Sequence, residues 1–136
     1  MPLTHHQLCF GCGSVNVFGL QIELEPTDRG VTGRFFVKQD HQGPPGFAHP
    51  GVLAAALEEA MALALRAEGL EGSLRRLELD LRDPAPIGTF VQLSATIDRR
   101  EGGTLGVSAD ASTPDGGERL AVARATYVAA QGQGSV

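Results

Sequence analysis

Apolar and polar residues alternate along most of this chain, and one stretch breaks the rhythm. Residues 19–25 set Leu20, Ile22 and Leu24 against Gln21, Glu23 and Glu25, the period of a half-buried strand. Pro26, Asp28 and Gly30 supply a turn. Residues 31–38 then form a second strand, with Val31, Phe35 and Val37 on one face and Thr32, Arg34, Phe36 and Lys38 on the other. The two predict a hairpin. The alternation returns later in Leu77, Leu79 and Leu81, in Val91, Leu93, Ala95 and Ile97, in Leu105, Val107, Ala109 and Ala111, and in residues 120–128. Pro84 with Pro86, Glu101-Gly102-Gly103 and Pro114-Asp115-Gly116-Gly117 separate these runs as turns.

Between the second and third runs the period changes. A loop, Gln42-Gly43-Pro44-Pro45-Gly46, leads through Phe47, Ala48 and His49 into residues 50–68, which are rich in the strong helix formers Ala, Leu and Met. Pro50 suits the first helical position, where its missing N–H is no loss, and Gly69 is the expected stop. The last four strands, joined by short turns, are expected to form an antiparallel meander. One helix cannot cover both faces of six strands. The expected fold is therefore α+β, a curved six-stranded antiparallel sheet wrapped around one long central helix.

A length of 136 residues and a 42% hydrophobic content fit one domain with its own core. We divide it into an N-terminal flap at 1–18, a domain at 19–129 and a flexible Gly-, Gln- and Ser-rich tail at 130–136. Eleven Lys and Arg against sixteen Asp and Glu give a formal charge of -5, which argues against a nucleic-acid partner. The doublets Arg75-Arg76 and Arg99-Arg100 are read as solvated strand ends, with local anion contacts as the alternative. No run approaches the roughly 18 apolar residues of a membrane helix, and residues 1–8 lack the apolar region of a signal peptide. These features predict a cytoplasmic protein with no membrane partner, its two cysteines reduced.

Two side chains in the helix demand an explanation. From Pro50 to Leu65 the only charged residues are Glu58 and Glu59, set among Val, Leu, Ala, Met and Gly. A helix apolar nearly all round is a buried one, and burying an ionised group costs several kcal/mol unless it is paired. Adjacent helical residues point about 100° apart, so the two acids cannot share one environment. One is free to line a cavity, where desolvation raises its pKa and makes it a useful general base. The alternative is a polar rim in which both acids pair with arginines such as Arg66.

Cys9 and Cys12, with His5 and His6 nearby, form a metal-ligand pattern, but a lone Cys-x-x-Cys lacks the second ligand pair of a structural site. The preferred reading is a packed flap near the mouth of the site, with no metal. Gly11-Cys12-Gly13 is not a dinucleotide fingerprint, because no strand precedes it and no helix follows.

Several of these segments, taken in order, resemble one family. Cys9-Phe10-Gly11-Cys12-Gly13 with Asn16 and Gly19-Leu20, the loop from His41-Gln42-Gly43 to His49-Pro50-Gly51, Leu57-Glu58-Glu59-Ala60-Met61, and Arg82-Asp83-Pro84-Ala85-Pro86-Ile87-Gly88 are similar to motifs of the hotdog-fold acyl-CoA thioesterases. The likeness is to the group related to the phenylacetate-pathway thioesterases and runs from about Cys9 to Val128. It implies that Glu58 is the catalytic carboxylate, with Glu59 structural. It implies that His49 positions substrate or water, and that the start of the helix polarises the thioester oxygen. Gln42, Gly51 and Ser73 are the implied substrate-binding residues; no cofactor and no metal are implied. Pro50 stands where the family has a glycine and has no N–H to donate, leaving Gly51 as the donor. Glu58 stands where aspartate is common.

The expected activity is hydrolysis of an acyl-CoA at a site built by a homodimer, with pairing of dimers into tetramers left open. A non-catalytic acyl-CoA binder is the alternative that Pro50 raises, and a hotdog hydratase is a third.

Overall fold

A computed structural model describes residues 2–130, so all of the expected tail except Ala130 lies outside the described residues. The elements are β1 (Glu23–Pro26), β2 (Gly30–Phe36), a 3₁₀ turn (Gln39–His41), α1 (Pro50–Ala67), β3 (Gly72–Leu81), β4 (Phe90–Glu101), β5 (Thr104–Ser112) and β6 (Arg119–Ala129). They form one curved, antiparallel six-stranded sheet packed on one long helix, the architecture expected from the sequence.

The alternation assigned faces correctly. Val31 and Phe35 of β2, Val91, Leu93 and Ala95 of β4, the Leu105 to Ala111 series of β5, and Ala121, Ala123, Ala125 and Tyr127 of β6 are all buried. They meet Leu53, Leu57 and Met61 of the helix. Ala56, Ala60 and Ala64 recur every four residues along one helical stripe and are fully buried, which lets the sheet approach closely.

Two expectations are corrected. The strand order is β1-β2-β4-β5-β6-β3, so only β4, β5 and β6 form a meander. β3 pairs with β6, and the chain crosses the sheet to place β4 beside β2. The first strand is also shorter than its pattern. Leu20 and Ile22 are buried as expected, but their N–H groups donate to the carbonyls of Phe10 and Gly11, and Gln21 between them has φ 51. The expected strand half is therefore a loop laced to the N-terminal segment.

Both helix ends are closed by local chemistry. His49 is the N-cap, and Pro50 follows at the first turn. At the other end Gly69 takes φ 74, and Leu70 N–H returns to Leu65 C=O at 2.9 Å. A side chain at Gly69 would be strained at that φ.

Candidate active site

Glu58 and Glu59 do face different surroundings. Glu58 points toward β6, where its Oε2 accepts a hydrogen bond of 2.8 Å from the Tyr127 hydroxyl. It is partly buried rather than in open water. Burial pushes its carboxyl above the ordinary range, and the Tyr127 hydrogen bond opposes that shift without cancelling it. Tyr127 is buried, and desolvation holds its phenol in the protonated, donating form. Arg66, the partner considered for the acids, instead reaches Glu71 at 3.4 Å.

Glu59 points the other way and is 7% exposed. Its Oε2 lies 2.7 Å from His5 Nδ1 and 3.5 Å from Cys9 Sγ. Burial alone would raise its pKa, but the His5 hydrogen bond and charge hold the carboxyl below the usual range. The same hydrogen bond, working against desolvation, lifts His5 to about 9, so the pair is ionic at neutral pH. Cys12, 5% exposed, has its thiol pushed up to about 12, first by burial.

At the start of the helix, His49 is exposed and its Nδ1 accepts a hydrogen bond of 2.8 Å from Gly51 N–H. Val52 N–H is taken by the His49 carbonyl, also at 2.8 Å. With no N–H on Pro50, the Gly51 N–H is the first of the helix, and the His49 ring occupies it. Gln42 Oε1 accepts from Gly46 N–H at 2.7 Å, so that side chain closes the loop leading to the helix. Ser73 is exposed on β3, opposite Val128 and one residue before Leu74, which faces Tyr127 in the ladder. The hydrogen bonds of Glu58, His49 and Gln42 go to different partners, Tyr127, Gly51 and Gly46. A cavity of about 190 Å³ is lined by Tyr127, His5, Ala62, Arg66 and their neighbours, so it reaches Tyr127, the partner of Glu58, and not the helix start.

β3 is the edge strand of the sheet, paired with β6, which carries Tyr127. Leu74, Leu77 and Leu81 lie opposite the core residues Tyr127, Ala125 and Ala121, so they share the sheet's inner face. The helix touches this strand but leaves them 40%, 36% and 46% exposed.

Tyr127 was not singled out from the sequence. It is the only tyrosine in the chain, on a strand whose other inward positions are alanines, and a buried phenol needs a partner. That combination was the available signal.

No family model and no curated protein matches the sequence. Solved structures do match. A thioesterase superfamily protein is 24% identical, with a TM-score of 0.84, over 90% of this chain and 63% of its own. The chain thus spans less than two thirds of that protein. A phenylacetic acid degradation-related protein from Ralstonia eutropha is 23% identical over 80% of this chain and 85% of its own, with a TM-score of 0.72. A hypothetical thioesterase protein from Streptococcus pneumoniae, solved with coenzyme A, is 16% identical over 84% and 90%, with a TM-score of 0.75. At these identities the shared property is the fold, and the chain has the hotdog fold of these thioesterase superfamily proteins.

Proposed function

We propose that this chain hydrolyses acyl-coenzyme A thioesters to a free acid and coenzyme A, with Glu58 as the catalytic carboxylate, at a site completed by a second copy. The observation that carries the proposal is a desolvated carboxylate, on an otherwise apolar helix stripe, held by a buried tyrosine at an open apolar edge. The fold neighbour solved with coenzyme A supports the substrate class.

The proposed chemistry uses this geometry. Tyr127 fixes Oε2 of Glu58 and leaves Oε1 to accept a proton from water. The water oxygen bonds to the thioester carbonyl carbon, and the carbon–sulfur bond breaks. The proton taken by Glu58 passes to the departing coenzyme A sulfur. Seven helical residues, about 10 Å of rise, separate Gly51 from Glu58. The Gly51 N–H that stabilises the carbonyl oxygen, at the positive end of the helix dipole, is therefore the one in the second copy, once the His49 ring there gives up that bond. A partner strand laid along β3 would cover Leu74, Leu77 and Leu81, one strand away from Tyr127. Thiol release from a panel of acyl-CoAs tests the assignment. Glu58→Ala should lose activity by about 10²–10⁴-fold, and equal rates would remove Glu58 from the mechanism.

The capped Gly51 N–H favours a second reading, a binder of acyl-CoA that does not turn it over. Tight binding of a non-hydrolysable analogue, with no thioester cleaved and activity appearing in Pro50→Gly, would select it.

A further inference from the structure

The cluster around Glu59 lies beside the proposed hydrolytic site, sharing through His5 the cavity that reaches Tyr127, and its atoms suit a metal. His5 Nδ1, Cys9 Sγ, Cys12 Sγ and a Glu59 carboxylate oxygen all lie within 4.8 Å of one another. We infer that these four side chains form a tetrahedral zinc site that fastens the N-terminal segment to the central helix.

Edge lengths provide the first argument. Four-coordinate zinc, with bonds of about 2.3 Å to sulfur and about 2.0–2.1 Å to nitrogen or oxygen, implies sulfur-to-nitrogen or sulfur-to-oxygen edges of about 3.5–3.6 Å. The chain holds Cys12 Sγ 3.6 Å and Cys9 Sγ 3.8 Å from His5 Nδ1, and Cys9 Sγ 3.5 Å from Glu59 Oε2. Of these four pairs, His5 and Glu59, hydrogen-bonded at 2.7 Å, are the one closer than a ligand pair. They need part by only about 0.6 Å when an ion replaces the proton between them.

The loop provides the second. Cys9 and Cys12 sit on a turn closed by Gly13 N–H to Cys9 C=O at 2.9 Å, and His5 N–H donates to Cys12 Sγ at 3.1 Å. A backbone N–H aimed at a cysteine sulfur stabilises a thiolate ligand. A Cβ at Gly11 would overlap the Glu59 side chain, and one at Gly13 would overlap the backbone of Gln7 and Cys9. Gly11 is thus explained by wrapping this loop over Glu59, and Gly13 by the tightness of the loop itself. Sequence spacing hid the site, because Glu59, the ligand that a lone Cys-x-x-Cys lacks, comes 50 residues after Cys9. On binding, the two thiol protons and the His5–Glu59 proton pass to solvent.

The donor set is two thiolates, one imidazole and one carboxylate, all from one chain and largely enclosed, with no position left for a water. That describes a closed, structural site. The ion would tie residues 5–12 to the helix next to Glu58, holding the flap in place without touching the thioester.

The test is made on untagged, reduced, chelator-stripped full-length protein, titrated with cobalt alone and then with zinc. The expected result is one cobalt per chain, with a thiolate-to-cobalt charge-transfer band and the intense visible bands of tetrahedral cobalt. Zinc should abolish both bands and raise Tm. Cys9→Ser and Cys12→Ser, each checked for folding by circular dichroism, should lose the charge-transfer band in large part. His6→Ala, outside the cluster, should keep it. A folded wild-type chain that shows no thiolate–cobalt band, or a band unchanged in both serine variants, overturns the site. Metal content is read without any thioester assay, so the outcome is independent of the hydrolysis proposal.

Discussion

Glu58 and Glu59 are identical side chains on consecutive residues of one helix, and their surroundings drive them in opposite directions. Glu58 meets a single neutral donor, Tyr127, beside an open sheet edge, and desolvation prevails, so its proton is held more tightly. Glu59 is the more buried of the two, yet its proton is held less tightly, because a cationic His5 lies 2.7 Å away. Depth alone therefore does not decide the charge of a buried acid; the partner does. The open region has a carboxylate ready to take a proton, and the closed region has one committed as an anion.

The strongest way to break this comparison is to remove each charge with little change of shape. Glu58→Gln should lower kcat for thioester hydrolysis by about 10²–10⁴-fold, with the urea midpoint little changed. Glu59→Gln should do the reverse, leaving most of the turnover and losing stability. Similar losses of turnover in both variants would mean that the two acids act together.

The open edge offers the next largest effect. Leu77→Asp puts a charge into the apolar strip of β3, where a covered leucine contributes about 1.5–3 kcal/mol to association. The variant should be monomeric by light scattering at concentrations where the wild type is a dimer, and its turnover should fall with the dimer. A wild-type chain that is monomeric and fully active would end the shared-site reading while leaving Glu58 in place.

How much of this was legible in the sequence depends on what alternation encodes. It assigns faces, so the inward residues of β2, β4, β5 and β6 were readable. It does not name partners. Leu77, Leu79 and Leu81 alternate the same way whether β3 lies beside β4 or, as found, beside β6. Leu20 and Ile22 likewise read as strand, although their backbone bonds go to Phe10 and Gly11. At the site, Glu58 stood out because charge is rare on that helix, and the divergence of the two acids followed from helical geometry. The partners did not stand out, since Tyr127 lies 69 residues from Glu58 and His5 lies 54 from Glu59. Contacts that distant leave no local period to read.

In the closed region, chelator-treated Glu59→Gln should lose about 1–3 kcal/mol in urea unfolding. The loss stays modest because His5, left without its anion, is 29% exposed and can be solvated. Adding Gly11→Ala to the wild type should also destabilise, because the new methyl overlaps the Glu59 side chain. The same Gly11→Ala change made in a Glu59→Ala background should cost less. Additive losses would mean that Gly11 is needed for the turn itself rather than for its closeness to Glu59.

The smallest expected effect probes the open region again, through Tyr127→Phe. The ring still fills its buried place on β6, so the core keeps its packing and loses only a hydroxyl. Losing that one hydrogen bond should change stability by about 1 kcal/mol. Glu58 keeps its own oxygens but loses the donor that orients them at 2.8 Å. If Tyr127 acts by positioning, kcat should drop by about 10-fold, the equivalent of roughly 1.4 kcal/mol, with KM nearly constant, because the phenol holds the carboxylate and not the acyl group. Glu58→Gln/Tyr127→Phe should then be no slower than Glu58→Gln alone, since a positioning residue has nothing left to position. A Tyr127→Phe variant with unchanged kcat and a raised KM would place the phenol against substrate instead. Glu58 would then be oriented by the subunit that covers β3 rather than by its own sheet.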